Sequence, residues 1–308
     1  MRLFVLWSFG LMFLSCSVTR EPGSLFGPAD QHTPVIDALL IVDRPMPDIF
    51  VRQTLSPAVT YTREAAAVHG AEVTLYQDAA EYRFVDAGDT LGRYTPPSGA
   101  PPIRPETEYR LRVRIGTKEV NARTLTPSRF ELEENVLIDK KTLQPIRQLK
   151  SFRDTPSEVF TAPENQVRYQ EHLLETHFQP VGVKGYQVGV LSLDIGSEYV
   201  IEGDFLDEED FEDFERYGSS PAFEAADGKL RLPWFAIYYA GRHILRIYAV
   251  DDNWFDFIRT GPEQPEGLGN LAGDNLERPI FHVDGGIGLF GSASVDSLGF
   301  VVLPKAGN

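Results

Sequence analysis

Cysteine is almost absent: Cys16 is the only one in 308 residues. A disulfide within the chain is therefore excluded, as is any site built on several thiolates. Methionine and tryptophan are scarce too, with three of each. Positive charge is in short supply, 29 Lys and Arg against 45 Asp and Glu, for a formal net charge of −16. That balance argues against nucleic acid, whose binding relies on Lys and Arg neutralising phosphates. It also argues against a basic patch for anionic lipid. Long apolar runs are missing after Leu14. The best later one, Trp234–Ala240, is strand-sized, whereas a membrane-spanning helix needs about 20 residues. An outer-membrane barrel leaves weaker traces, but acids are scattered over every segment and aromatic girdles are not visible. Stability must come from packing. A hydrophobic content of 42% and an aromatic content of 11% are those of a folded chain. The length suits two domains, at about 100–200 residues each.

What is present begins with Met1–Thr19. Arg2 precedes an apolar run, Leu3–Leu14, followed by Ser15 and Cys16. A positive start, an apolar segment of about 7–15 residues and a small residue at the cut form an export signal. With cysteine directly after the small residue, residues 1–15 resemble a bacterial lipoprotein signal peptide. Most such signals prefer Leu where Phe13 stands. The resemblance implies that Cys16 receives the lipid and becomes the new N-terminus. Residues 16–33, polar and broken by Gly and Pro, then read as a lipidated flexible tether reaching roughly 20–25 Å. Ser17 is compatible with sorting to the outer membrane, and leaves open whether the protein faces the periplasm or the cell surface.

From Val35 the pattern is β: Val35–Val42, Ile49–Leu55, Val73–Tyr76 and Tyr82–Val85, with turn residues between them. Thr62–Val68 has room for one short helical turn. The clearest strand is Tyr109–Ile115, where Tyr109, Leu111, Val113 and Ile115 alternate with Arg110, Arg112 and Arg114. One face is apolar and the other positive. Glu119–Thr124 returns after Gly116-Thr117 as the second arm of a hairpin. Further on, Phe130–Ile138, Val167–Phe178 and Val181–Ile195 contain strand-like stretches, and Trp234–Val250 reads as a hairpin turning at Ala240-Gly241. Two helices are expected, Asp207–Tyr217 with acids in its first turn and Asp251–Arg259 capped by Asp251 or Asp252. Gly261–Pro279 is a long Gly/Pro loop. A last strand is expected at Phe300–Leu303.

Ile103-x-Pro105-x-Thr107-x-Tyr109-x-Leu111-x-Val113, ending at Thr124-x-Thr126-Pro127, resembles the last two strands of a fibronectin type III module. That resemblance implies a tyrosine corner at Tyr109 and an immunoglobulin-like β-sandwich over residues 34–127. A larger β-rich C-terminal domain with two short helices, residues 128–308, would follow. A second resemblance spans nearly the whole mature chain: the lipoprotein signal, the Ala71, Val73, Leu75 strand, the Tyr109 hairpin, the aromatics Trp254, Phe255 and Phe257, and the Gly285–Gly291 ending. Together these resemble the envelope lipoproteins grouped as domain of unknown function 4249. Members of that family are often encoded beside TonB-dependent outer-membrane transporters, which implies an accessory role. The family supplies no catalytic residues to carry over.

The chemical motifs dissolve under their own mechanics. Gly286-x-Gly288-x-x-Gly291 spells a dinucleotide fingerprint, but no helix follows to hold a pyrophosphate, and the chain ends before an acid about 20 residues on. Those glycines suit a bulge or close backbone packing. His172 and His177 are spaced wrongly for a zinc-protease helix, so solvent-facing or locally bonded histidines are expected. Glu202–Glu215 is rich in acids but lacks the alternating ligands and glycine turn of a calcium loop. No nucleophile elbow is present. Asp251, Asp252, His282 and Asp284 form the one polar set near the glycine-rich end with a chance to converge, and Trp254, with Trp234, Tyr238 and Tyr239, is the candidate aromatic recognition surface. The expectation is a non-enzymatic, cofactor-free outer-membrane lipoprotein that acts by binding, as the partner of a transporter. The alternatives are a stand-alone carbohydrate- or peptide-binding lipoprotein and, further off, an envelope hydrolase.

Overall fold

The computed structural model describes residues 32–56, 58–150, 158–194, 198–200, 217–220, 222–225, 227–260 and 279–305. Cys16, the tether up to residue 31, the acidic Glu202–Glu215 stretch and the loop 261–278 lie outside the described residues. So does the expected helix Asp207–Tyr217, except for Tyr217, which opens a strand.

The chain runs β1 (Pro34–Ile41), β2 (Ile49–Gln53), α1 (Arg63–Ala66), β3 (Glu72–Gln77), β4 (Ala80–Asp86), β5 (Arg93–Thr95), β6 (Glu108–Ile115) and β7 (Lys118–Leu125). It continues with β8 (Leu132–Ile138), β9 (Pro145–Gln148), β10 (Gln166–Arg168), β11 (Leu173–Phe178), β12 (Gly185–Ser192), β13 (Tyr217–Ser219) and β14 (Lys229–Leu232). β15 (Gly241–Val250), α2 (Asp252–Thr260), β16 (Val283–Asp284) and β17 (Ile287–Leu303) close it. The fold is mainly β, as composition and alternation predict. Among the described residues, one continuous sheet has the order β13-β12-β15-β17-β1-β2-β5-β4-β3-β6-β7-β16, with β10 also on β17. A second sheet has the order β14-β11-β8-β9.

The long sheet folds over itself at β4. Val73–Gln77 of β3 pair with Ala80–Phe84, while Val85 and Asp86 pair with β5. This turns β3, β6 and β7 across β1, β2 and β5, so that alternate residues of both layers meet. Ile36, Leu40, Ile49, Val51 and Tyr94 face Leu75, Tyr109, Leu111, Val113 and Val120 in one core. Period-two patterning decides this: in β6, Tyr109, Leu111 and Val113 are buried while the arginines between them face outward. The Tyr109 ring is fully buried, and its hydroxyl accepts from the Arg104 amide at 2.9 Å. That is the corner bond the fibronectin-like motif implies. The second core lies between the short sheet and β12, β15 and β17, with Leu174, Phe178, Tyr186, Leu245, Ile247 and Phe300 among its members.

β17 joins the two cores. Its first half, Ile287–Ala293, runs parallel to β1, and its second half pairs antiparallel with β15 from Ala293 to Val302. An uninterrupted strand of this length spans about 55 Å. The core of residues 34–127 also takes in Val283 and Phe290, and β17 supplies the neighbour of β1. One sequence expectation is corrected here. The last strand is not confined to Phe300–Leu303 but begins at Ile287, and the glycines expected to serve a bulge or close backbone packing sit inside it. At Gly288 φ is +110°, and an added Cβ would come within 2.1 Å of the Ile36 carbonyl oxygen. Close backbone packing, not a phosphate, is the reason for that glycine.

The Trp234–Val250 hairpin is also corrected. Trp234–Ala236 form a 3-10 turn after Pro233, and only Gly241–Val250 is a long strand. The apolar run there lacks strict alternation, and its Ile237 reaches the core from the turn. By contrast α2 and the one-turn α1 stand where the sequence places them. Among the described residues no helix is long and apolar enough to cross a membrane.

Candidate functional site: a charged groove beside helix α2

Between the outward face of β6 and β7 and the N-terminus of α2 lies an open groove of about 1470 Å³. One wall is made of side chains that period-two alternation turns away from the core: Arg110 and Arg112 from β6, Asn121, Arg123 and Leu125 from β7. The other wall comes from Gly182 and Val183, from Asp251–Asn253, and from Phe281–Asp284. Asp251, Asp252, His282 and Asp284, far apart in the chain, therefore do line one cavity. Trp254 does not join them.

Asp251 is the N-cap of α2. Its Oδ1 accepts from the Trp254 amide at 3.0 Å, and its Oδ2 accepts from the Thr124 hydroxyl. Thr124 Oγ1 lies 2.7 Å from Ser292 Oγ, so β7, β17 and α2 are tied at one point. Both Asp251 and Ser292 are buried. Burial pushes the Asp251 carboxyl above the usual carboxylate range, against the bonds that favour its charged form. Replacing Asp251 with Ala should cost about 2 kcal/mol, since it removes an N-cap and strands a buried hydroxyl. Asp251→Asn keeps the cap. A carboxyl whose folded pKa is raised gives stability that is complete below its unfolded value, about 3.9, and is lost as pH rises through the folded value. The stability of Asp251→Asn relative to wild type should therefore grow with pH above about 4. Urea denaturation at several pH values reads this, and a constant difference across that range would refute the assignment.

The remaining predicted polar residues are exposed or half-buried. His282 Nε2 lies 2.8 Å from Asp256 Oδ2, and Lys184 Nζ lies 3.2 Å from Asp252 and 3.8 Å from Asp256. Asp284 sits opposite Asn121 where β16 pairs with β7. Beyond that short pairing, the Arg123 and Leu125 carbonyls accept from Asn253 Nδ2 at 2.6 Å and Ser292 Oγ at 3.3 Å. Side chains cover the strand edge there.

Trp254 needs correction as a recognition surface. Its ring is 8% exposed, packs with Val250, Phe255, Leu289 and Ala293, and lies 5.6 Å from the Tyr248 ring. The helical stripe that made it conspicuous is the stripe that buries it. Trp234 likewise packs against the second core and donates Nε1–H to the His172 carbonyl at 2.5 Å. His177 is locally bonded, with Nε2 at 2.6 Å from Glu175 and Nδ1 at 3.2 Å from Glu134. Among the described residues no group of three or more His, Cys, Asp or Glu is placed to hold a metal ion.

What sequence reasoning missed is the other wall. Arg110, Arg112 and Arg123 share it, the first two over the ring of Tyr76. The signal was the arginine alternation in β6, and only the pairing of β6 with β7 adds Arg123 to it.

No curated protein matches this chain. A solved structure from a study of host cell surface retention of a 1.5-MDa bacterial ice-binding adhesin aligns with 89% of this chain and 65% of its own. The identity is 8% and the TM-score 0.22, a likeness too slight to bear on fold or function. The family comparison is of a different order, because it matches residues 27–298 and so takes in most of both cores, α2 and the larger part of β17. The chain belongs to the family described as domain of unknown function (DUF4249).

Proposed function

We propose that this protein is a lipid-anchored envelope protein of the outer membrane, attached through Cys16, and that it acts by binding, as a non-enzymatic accessory partner of a TonB-dependent transporter. The observation that carries the binding role is the groove. It is open, it is large enough for an extended segment of a partner, and its walls come from parts of the chain that β17 holds together. Binding is favoured over turnover because the one buried acid–hydroxyl set there, Asp251 with Thr124 and Ser292, is spent on capping α2 and tying it to the sheet. The anchor rests on the Arg2–Cys16 signal, and the choice of partner on the resemblance that suggested a transporter.

A stand-alone peptide binder is the second reading. The groove's charge pattern favours it, with arginines on one wall and Asp252 and Asp284 on the other. With Trp254 buried, the carbohydrate alternative loses the tryptophan on which it rested.

Gly182 gives the test. It lines the groove, and an added Cβ there meets nothing within 4 Å, so Gly182→Trp should fill the groove without disturbing the fold. The full chain, solubilised with its membranes in mild detergent, should bring down a transporter barrel. Gly182→Trp should lose it by tenfold or more, and Cys16→Ala should leave the membrane fraction. A lone wild-type protein under those conditions would overturn the transporter reading. Equal capture by Gly182→Trp would remove the groove from it.

A further inference from the structure

The groove wall holds an arrangement that costs the free protein energy. In the β6–β7 ladder Arg110 stands directly opposite Arg123, and Arg112 opposite Asn121. Directly opposed side chains on antiparallel strands have Cβ atoms about 4.5–5.5 Å apart, and like charges in that position repel. Arg112 is the diagonal neighbour of Arg123 on the same face, within reach of a long side chain. Three guanidinium groups thus share one small area of a chain whose net charge is −16.

The nearby carboxylates compensate them only in part, the Arg112 charge reaching Glu119 more weakly than the Arg114 bond does. Arg110 has Glu108 at 3.8 Å, with both side chains more than half exposed. Glu119 is engaged by Arg114 at 2.9 Å and Asn121 at 3.1 Å. Among the described residues neither Arg112 nor Arg123 has a carboxylate within ion-pair distance, and Glu106, Asp252 and Asp284 line the groove without pairing with any of the three. The guanidinium groups are nevertheless oriented. Those of Arg110 and Arg112 lie 5.9 and 5.2 Å from the centroid of the Tyr76 ring, which faces Arg110 from β3. Cation–π contact of this kind holds a guanidinium plane while leaving its N–H groups free. A planar fork of donors so held matches a carboxylate or phosphate, which it can grip with two parallel bonds.

We infer that Arg110, Arg112 and Arg123, backed by Tyr76, form an anion-binding subsite that seats a carboxylate or phosphate group of the groove's ligand. This rests on the reading of the groove as the binding surface and goes beyond it by assigning the chemistry recognised. The bound anion relieves the Arg110–Arg123 repulsion, so ligand binding and sheet stability are linked.

The test uses the full chain in detergent, with citrate, inorganic phosphate and sodium chloride compared at equal ionic strength. Citrate or phosphate should raise the wild-type melting temperature by about 2 °C or more over chloride, the size expected for a ligand near ten times its dissociation constant. The combined variant Arg110→Gln, Arg112→Gln, Arg123→Gln should lose that response. In chloride it should melt no lower than wild type, because the repulsion is gone. A larger shift with citrate names a carboxylate ligand, and a larger one with phosphate names a phosphate. Equal shifts in wild type and variant, or none beyond chloride in either, would overturn the subsite. If Gly182→Trp abolishes capture of the partner while the arginine variant captures normally, the groove stands and only the anion chemistry fails. If both variants capture normally, the groove itself falls.

Discussion

Gly288→Ala is expected to destabilise the protein by at least about 3 kcal/mol, enough to raise its unfolded fraction by roughly a hundredfold. Two costs combine. At φ +110° a side chain is strained whatever space surrounds it. The added Cβ would also lie 2.1 Å from the Ile36 carbonyl oxygen and 2.9 Å from its amide nitrogen, and these are backbone atoms of β1 that cannot swing aside. Ile36 is the register partner of Gly288, so relief requires β1 and β17 to part. Circular dichroism with urea titration reads the outcome, and Gly182→Ala, where the new methyl meets open space, serves as the control. A Gly288→Ala protein within about 1 kcal/mol of wild type would show that the close approach of β1 and β17 does not exist in solution.

The second large effect concerns β17 as the element shared by both cores. Phe290 and Phe300 are both buried, the first in the core of the N-terminal strands and the second in that of the C-terminal strands. Truncating either to Ala should cost about 3–5 kcal/mol through lost transfer energy and a residual cavity. The informative feature is how the loss spreads. Residues 287–303 are one hydrogen-bonded strand, so disturbing one half disturbs the ladder that holds the other. Phe290→Ala should therefore destabilise both cores together, a change read by hydrogen exchange of β15 amides as well as β1 amides. If β15 keeps wild-type protection while β1 loses it, the two cores unfold independently and this coupling through β17 is refuted.

How much of this was legible in the sequence depends on the range of each signal. β6 was readable because its alternation is local: Tyr109, Leu111 and Val113 against three arginines needs no knowledge of any partner. The turn at Gly116-Thr117, the bond at Tyr109 and the cap at Asp251 are likewise set by residues within a few positions of one another. Even the failure of the dinucleotide fingerprint could be foreseen, since the residues after Gly291 do not read as a helix. Trp254 misled because an amphipathic stripe says that one side of a helix is apolar, not whether that side is covered. The β15 region misled for a related reason, as an apolar run can enter a core from a 3-10 turn as well as from a strand.

Local patterns along the chain were enough for the β class, the faces of its strands, the caps and turns, and the family. Those depend on local periodicity, on backbone preferences of single residues, and on patterns read along the chain. Long-range packing alone sets β17 beside β1, brings Val283 and Phe290 into a core begun about 250 residues earlier, and stands Arg123 across from Arg110. These are pairings between distant segments, selected by the burial of apolar faces from both partners at once. A side chain's neighbour across a sheet is fixed by register, and register is a property of two strands together.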